Sequence, residues 1–114
     1  MFDIYIEVIT MKRDNIAIIR TIGIRSTDNW EYIPVQISVM KYEKEKQTEI
    51  FDSMINPMCD IENSFDIPKH LNKQVLQIAP TPYTVAQQIK EFVKDCEMDA
   101  DEISATFLKK MLII

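Results

Sequence analysis

Glycine is nearly missing from this chain: Gly23 is the single one among 114 residues. The common nucleotide-binding loops, GxGxxG and GxxxxGK[ST], need several backbones without Cβ atoms close to phosphate, so neither can form. The GxSxG nucleophile elbow is excluded on the same ground. Histidine and cysteine are almost as scarce, with one His (His70) and two Cys (Cys59 and Cys96). A structural zinc site takes about four ligands, mostly Cys and His, so counting excludes one built from those two residue types alone. The cysteines lie far apart and form no CxxC pair, which in a reducing compartment makes them ordinary thiols rather than a disulfide. No apolar run approaches the roughly 18 residues that cross a bilayer. The first residues also lack the layout of a signal peptide. Neither membrane insertion nor secretion is expected.

Positive charge is also in short supply. Thirteen Lys and Arg stand against eighteen Asp and Glu, giving a net charge of −5 and a pI near 4.8. The cations are scattered: Lys12 and Arg13, then Lys41, Lys44 and Lys46, then Lys109 and Lys110. Proteins that grip nucleic acid through its phosphates carry a basic stripe. Here only a patch assembled in three dimensions would supply one. What is present is ordinary: 46% hydrophobic and 27% charged residues describe a globular chain of one domain, not a disordered one.

Residues 2–10, FDIYIEVIT, alternate apolar and polar positions, which predicts a strand. After a polar turn at 12–15, residues 16–24 form a second β-rich run, apolar on both faces apart from Arg20 and Thr21. Such a run suits a strand covered on two sides. Residues 33–42 alternate again, with Pro34 at the tolerant start of the strand. The charged stretch 43–47 is a hairpin connection, and 48–55 return as a fourth strand stopped by Asn56-Pro57. Then the period changes. Pro68 can open a short helix with Leu71, Val75 and Ile78 on one side. Thr81 and Pro82 are a good N-cap and first residue for a helix over about 82–95, with Val85, Ile89, Phe92, Val93 and Cys96 as its apolar stripe. From Asp99 two readings stay open. One is a helix capped by Asp99 and Glu102, with Ile103, Phe107, Met111 and Ile114 on a face; the other is a strand over ISATFL. Strands first and helices after argue α+β, or the leading half of a mixed α/β sheet with an antiparallel meander.

The run YIPVQISVMKYEKEKQTEIFDSMINP, from Tyr32, resembles the second and third strands of the DEDD exonucleases, which have an RNase H-like fold. Val35 to Val39 and Phe51 to Pro57 fill those slots, and Ala79-Pro80-Thr81 with Phe92 match a segment downstream. Within that superfamily the chain is similar to the Maelstrom domain. Tyr32-Ile33-Pro34-Val35-Gln36, Val39 to Tyr42, Ile55-Asn56-Pro57, Phe65-Asp66 and His70 follow its order of motifs. The likeness covers roughly residues 16–95.

The resemblance implies two metal-binding schemes, and this chain departs from both. DEDD exonucleases hold two magnesium ions with an Asp-x-Glu pair on the first strand and further Asp residues downstream. Hard cations need oxygen ligands, and paired metals stabilise the attacking and leaving oxygens. With Gly23 set on the glycine of the family motif, Ile18 and Arg20 occupy the carboxylate positions. Asp3 and Glu7 have the wrong spacing to replace the pair and are read as a solvated strand face. The Maelstrom cluster of Glu, two His and Cys fares no better. Its strand Glu falls on Gln36, one His cannot serve as two, and Cys96 comes early for the cysteine. His70 is read as a surface residue.

No catalytic, cofactor-binding or metal-binding residue is therefore assigned, and no cofactor is expected. The resemblance implies an exonuclease-like module without catalysis, acting in RNA silencing and the Piwi-interacting RNA pathway. Its partner is a protein or single-stranded RNA, and its setting the cytoplasm, a germ granule or the nucleus. The alternatives are a protein-interaction or dimerisation module without nucleic-acid contact and, third, an active RNA exonuclease. No small-molecule substrate is implied. A complete domain of this class continues into further β-α-β elements, so an incomplete one is expected, finished by a homodimer contact or a protein partner. Ile16, Ile18, Ile22 and Ile24 on one face of the second run, Ala17 and Ile19 on the other, and Leu112 to Ile114 all ask for cover.

Overall fold

A computed structural model describes residues 15–25, 32–59 and 70–112. The strand expected over 2–10, with Asp3 and Glu7, lies outside the described residues, as do Phe65, Asp66, Pro68, Ile113 and Ile114. Three strands run in a meander: β1 (Asn15–Arg25), β2 (Tyr32–Glu43) and β3 (Lys46–Met54). A short helix α1 (Lys73–Gln77) and a longer α2 (Pro82–Phe92) follow, then strand β4 (Glu97–Ala100) and helix α3 (Glu102–Leu112). The four strands form one sheet in the order β3-β2-β1-β4. β1 pairs with β2 and β2 with β3 antiparallel, whereas β1 and β4 are parallel. The sheet is therefore mixed and the fold is α/β.

Local chemistry explains the joints. Lys44 and Glu45 link β2 to β3 with φ of 50° and 69°, and Glu43 pairs with Lys46 across them. A two-residue loop with both φ values positive matches the right-handed twist of paired strands. The chain accepts that backbone with side chains that seldom adopt it. The register of β1 on β2 shifts between Ile22 and Gly23, where Ile22 pairs with Gln36 but Gly23 with Pro34. Val35 is the extra residue of this bulge.

The helices cover one face of the sheet. Ala17 and Ile19 of β1, Ile37 and Val39 of β2, and Ile55 just past β3 form one buried cluster. Val85, Ala86, Ile89 and Val93 join it from the α2 segment, Phe107 and Leu108 from α3. Each fully buried Val, Leu or Ile contributes about 1.5–3 kcal/mol. A smaller cluster joins Ile24 and Val35 beside the bulge to Leu71 and Leu76 at α1. Thr81 caps α2, its hydroxyl accepting from the Thr84 N–H at 3.2 Å.

Four expectations need correction. The helix predicted over 82–95 ends at Phe92, because the Val93 backbone leaves the helical region at φ −104° and ψ 10° and the Cys96 N–H closes a tighter turn onto the Val93 carbonyl. In α1, Leu76 takes the buried place; Ile78, counted in the stripe, is 85% exposed because it lies beyond the helix as its C-cap. The open reading after Asp99 resolves as a helix, but Asp101 caps it. Its carboxylate accepts from the Ser104 N–H at 2.8 Å, while Asp99 belongs to β4. That start turns Ser104, Phe107 and Leu108 inward and leaves Ile103 exposed.

Candidate functional site

The face of the sheet away from α2 and α3 carries the positions to which the sequence points. Strand alternation and register put Ile18, Met40 and Ile50 in one row and Arg20, Ser38 and Asp52 in the next. Ile22, Gln36 and Met54 make the third. Ile22 and Ile50 are exposed, while Ile16 and Ile18 are half-buried. The burial expected on both faces of β1 is thus partial on this side. Ile24 escapes because it packs in the cluster beside the bulge.

A chain of hydrogen bonds runs across the polar positions of this face. The Asp52 carboxylate oxygen accepts from the Ser38 hydroxyl at 3.2 Å and from the Gln36 amide at 3.4 Å. The Gln36 carbonyl oxygen lies 2.8 Å from His70 Nε2. A carboxylate only accepts, so it orients the Gln36 amide, whose oxygen must then accept from Nε2–H. Gln36 and His70 are 34 residues apart in sequence and were singled out separately; the fold brings them together. Cys96 does not join them. It is packed against the main core.

Arg20 turns elsewhere. Its guanidinium donates to the Ile19 carbonyl at 2.7 Å and to the Asp99 carbonyl at 3.2 Å, across the β1–β4 joint. Behind that joint the Thr21 and Ser104 hydroxyls meet at 2.6 Å, with Ser104 fully buried. Partial burial pushes the Asp101 carboxyl up. Hydrogen bonds from the Ser104 hydroxyl and backbone N–H, with the charge of Arg20, outweigh it and hold the pKa below the ordinary aspartate value. Among the described residues no group of three or more His, Cys, Asp or Glu is placed to hold a metal ion. No described helix is long and apolar enough to cross a membrane.

Sequence reasoning passed over a groove of about 780 Å³. Tyr32 and Pro34 of β2, Pro57 and Met58 after β3, Tyr83 of α2 and Ile103 of α3 contribute to its walls. Its construction is specific. A Cβ on Gly23 would overlap the Tyr32 ring, so the one glycine makes room for that tyrosine. Across the strand pair the Arg25 guanidinium sits 6.0 Å from the ring centroid. Asn56 ties the other wall down: its N–H donates to the Pro80 carbonyl at 2.8 Å, its side-chain amide to the Gln77 carbonyl at 2.9 Å. Its side-chain oxygen accepts from the Met58 N–H at 2.8 Å, fixing Met58 at a φ of 60°. The sequence signals were the isolated Gly23 and the Asn56-Pro57 stop.

Mixed sheet, meander and covering helices together define an exonuclease-like fold, and solved structures agree. A 3'-exonuclease solved in 3'-end specific recognition of a histone mRNA stem-loop matches with a TM-score of 0.60 at 13% identity, over 72% of this chain and 40% of its own. Cell-death related nuclease 4 matches with a TM-score of 0.63 at 14% identity, over 90% of this chain and 42% of its own. A full-length 3'-exonuclease gives 0.58 at 13% identity, over 72% and 40% of the two chains. The chain thus spans about two-fifths of the length of these nucleases. No family model matches the sequence, and no curated protein matches it.

Proposed function

We propose that this chain is an exonuclease-like module that binds single-stranded RNA without cutting it, of the Maelstrom type and acting in RNA silencing of the Piwi-interacting RNA kind. The observation that carries the reading is the pair Ile18 and Arg20 where the resemblance asks for Asp and Glu. An aliphatic chain and a cation cannot ligate magnesium, and the Arg20 guanidinium is engaged with the Ile19 and Asp99 carbonyls. Asp52, the nearest carboxylate in its row, accepts from Gln36 and Ser38. The Maelstrom likeness draws support from the Gln36–His70 hydrogen bond, which joins two residues that follow that domain's order of motifs. RNA as ligand draws support from the fold, which a 3'-exonuclease that recognises an mRNA stem-loop shares.

The test is a trimming assay on end-labelled single-stranded RNA with magnesium or manganese, run beside a binding titration. Binding without trimming is expected. Metal-dependent trimming that disappears on substituting Asp52 or Asp99 would overturn the inactive reading.

A further inference from the structure

β3 closes one side of the described sheet, and its outer edge faces solvent: Lys46 to Ile50 and Asp52 are exposed. The opposite edge is different. β4 is four residues long, and its Asp99 carbonyl already accepts from Arg20 at 3.2 Å; short edge strands are poor templates for pairing. We propose that the β3 edge pairs with the same edge of a second copy, antiparallel about a two-fold axis through Phe51, so that two four-stranded sheets become one. The inference is separate from the RNA reading and stands or falls without it.

Three observations carry the assignment. The first is direction. The Ile55 N–H donates to the Val35 carbonyl at 2.8 Å, and Ile37, Val39 and Lys41 face Ser53, Phe51 and Glu49 in the same register. Hydrogen-bonded positions alternate along an antiparallel strand, so these odd-numbered residues bond to β2. Ile50 and Asp52 therefore turn their N–H and C=O groups outward, and a second copy presents the same groups reversed, as a two-fold contact requires. The second is what fixes the register. Pairing about Asp52 would set that carboxylate directly opposite its own copy, and like charges there repel. Pairing about Ser53 would need the Met54 carbonyl, which the Ser53 hydroxyl already holds at 2.8 Å. Pairing about Ile50 would need Thr48, the extra residue where Lys41 faces Glu49 but Tyr42 faces Gln47, and a bulged residue interrupts a ladder. Pairing about Phe51 meets none of these obstacles: Ile50 faces Asp52 of the copy, and Glu49 faces Ser53. The third is the chemistry at the axis. Phe51 is half-buried beside Phe92, and two copies bring their Phe51 rings together as a cross-strand aromatic pair. The carboxylates of the edge are already engaged within each copy, Glu49 with Lys41 at 3.5 Å and Asp52 with Ser38 and Gln36.

The experiment is sedimentation of the full chain across a concentration series, where monomer should pass reversibly into dimer. Ile50→Pro is the first variant, because it removes an N–H that points outward and an edge strand accepts proline there. The two-fold axis deletes that bond twice, so the dissociation constant should rise about 5- to 150-fold while circular dichroism shows the fold intact. Ile50→Glu and Ile50→Lys keep the backbone and test the register. Opposite Asp52 of the copy, glutamate should weaken the dimer and lysine should tighten it. Glu49→Cys combined with Ser53→Cys supplies a direct mark. The two positions face each other as a non-hydrogen-bonded pair, and about 4.5 Å between Cα atoms suits a disulfide. Mild oxidation should therefore link position 49 of one copy to position 53 of the other, as peptide mass spectrometry would show. A chain that stays monomeric throughout the series would overturn the proposal, and so would equal effects of the two charges at position 50. A dimer indifferent to every Ile50 variant but dissociated by Tyr83→Ala would place the contact at the groove and overturn it as well.

Discussion

Replacing Gly23 by alanine adds one methyl group at the place where β1, β2 and the groove meet. The new Cβ would overlap Cε1 and Cζ of Tyr32 and lie 2.8 Å from the Ile33 carbonyl oxygen. Neither obstacle yields easily. The ring is wedged below Arg25, and the carbonyl belongs to strand backbone. Forcing a methyl group into a filled site costs about 1–3 kcal/mol. Alanine returns about 0.4–1 kcal/mol by restricting the unfolded chain. The net loss is about 1–2 kcal/mol, a substantial part of a small domain's stability, and should lower Tm by roughly 5–15 °C. Circular dichroism melts give the number. The double variant Gly23→Ala with Tyr32→Ala tests its cause: removing the ring opens the space, so the two substitutions should fall short of additive. An unchanged Tm for Gly23→Ala alone would refute the packing on which the preformed tyrosine depends.

Two further substitutions probe the helices. Phe92 is half-buried, with its ring 5.7 Å from that of Phe51 and Lys41 Nζ 4.3 Å from its centroid. Phe92→Ala should therefore cost about 2 kcal/mol, below the roughly 3–5 of a fully buried phenylalanine; chemical denaturation reads it, and a null effect would break the α2–β3 contact. Asp101 tests pH. Its pKa is held below the ordinary value, so its contribution is complete at neutral pH. It is lost as the pH falls from about 3.9, the unfolded value, through the lower folded one. Asp101→Asn should flatten the acid limb of the stability curve, and an identical acid limb in both proteins would contradict the cap.

Much of this architecture was legible because the strands are long and their punctuation is local. The meander shows in the alternation of 33–42 and 48–55, and α2 in Thr81, Pro82 and the stripe on Val85 and Ile89. β4 was missed for a physical reason. Glu97 to Ala100 is short, mostly exposed and carries two acids, so its only strand signal is the partner β1, remote in sequence. The bulge was equally silent. Val35 continues a clean alternation, and only the register against Gly23 shows that it is the extra residue. Of the candidate positions, Ile18, Arg20, Gln36 and His70 could be named from motif order. That Gln36 would meet His70, and that Tyr32 would rest on Gly23, are long-range contacts that no periodicity encodes.

The parallel joint between β1 and β4 also governs the order in which the molecule can assemble. Hairpins β1–β2 and β2–β3 close over short stretches of chain and can form early. Ile16 meets Glu97 only after most of the sequence has been gathered into one loop, and closing a long loop must be offset before its contacts reward it. α3 rests on α2 and β1 as well as on β4, and its Phe107 and Leu108 complete the cluster around Ala17 and Ile19. The shortest of the described strands, at the edge of the sheet, thus makes the pairing that spans the most sequence.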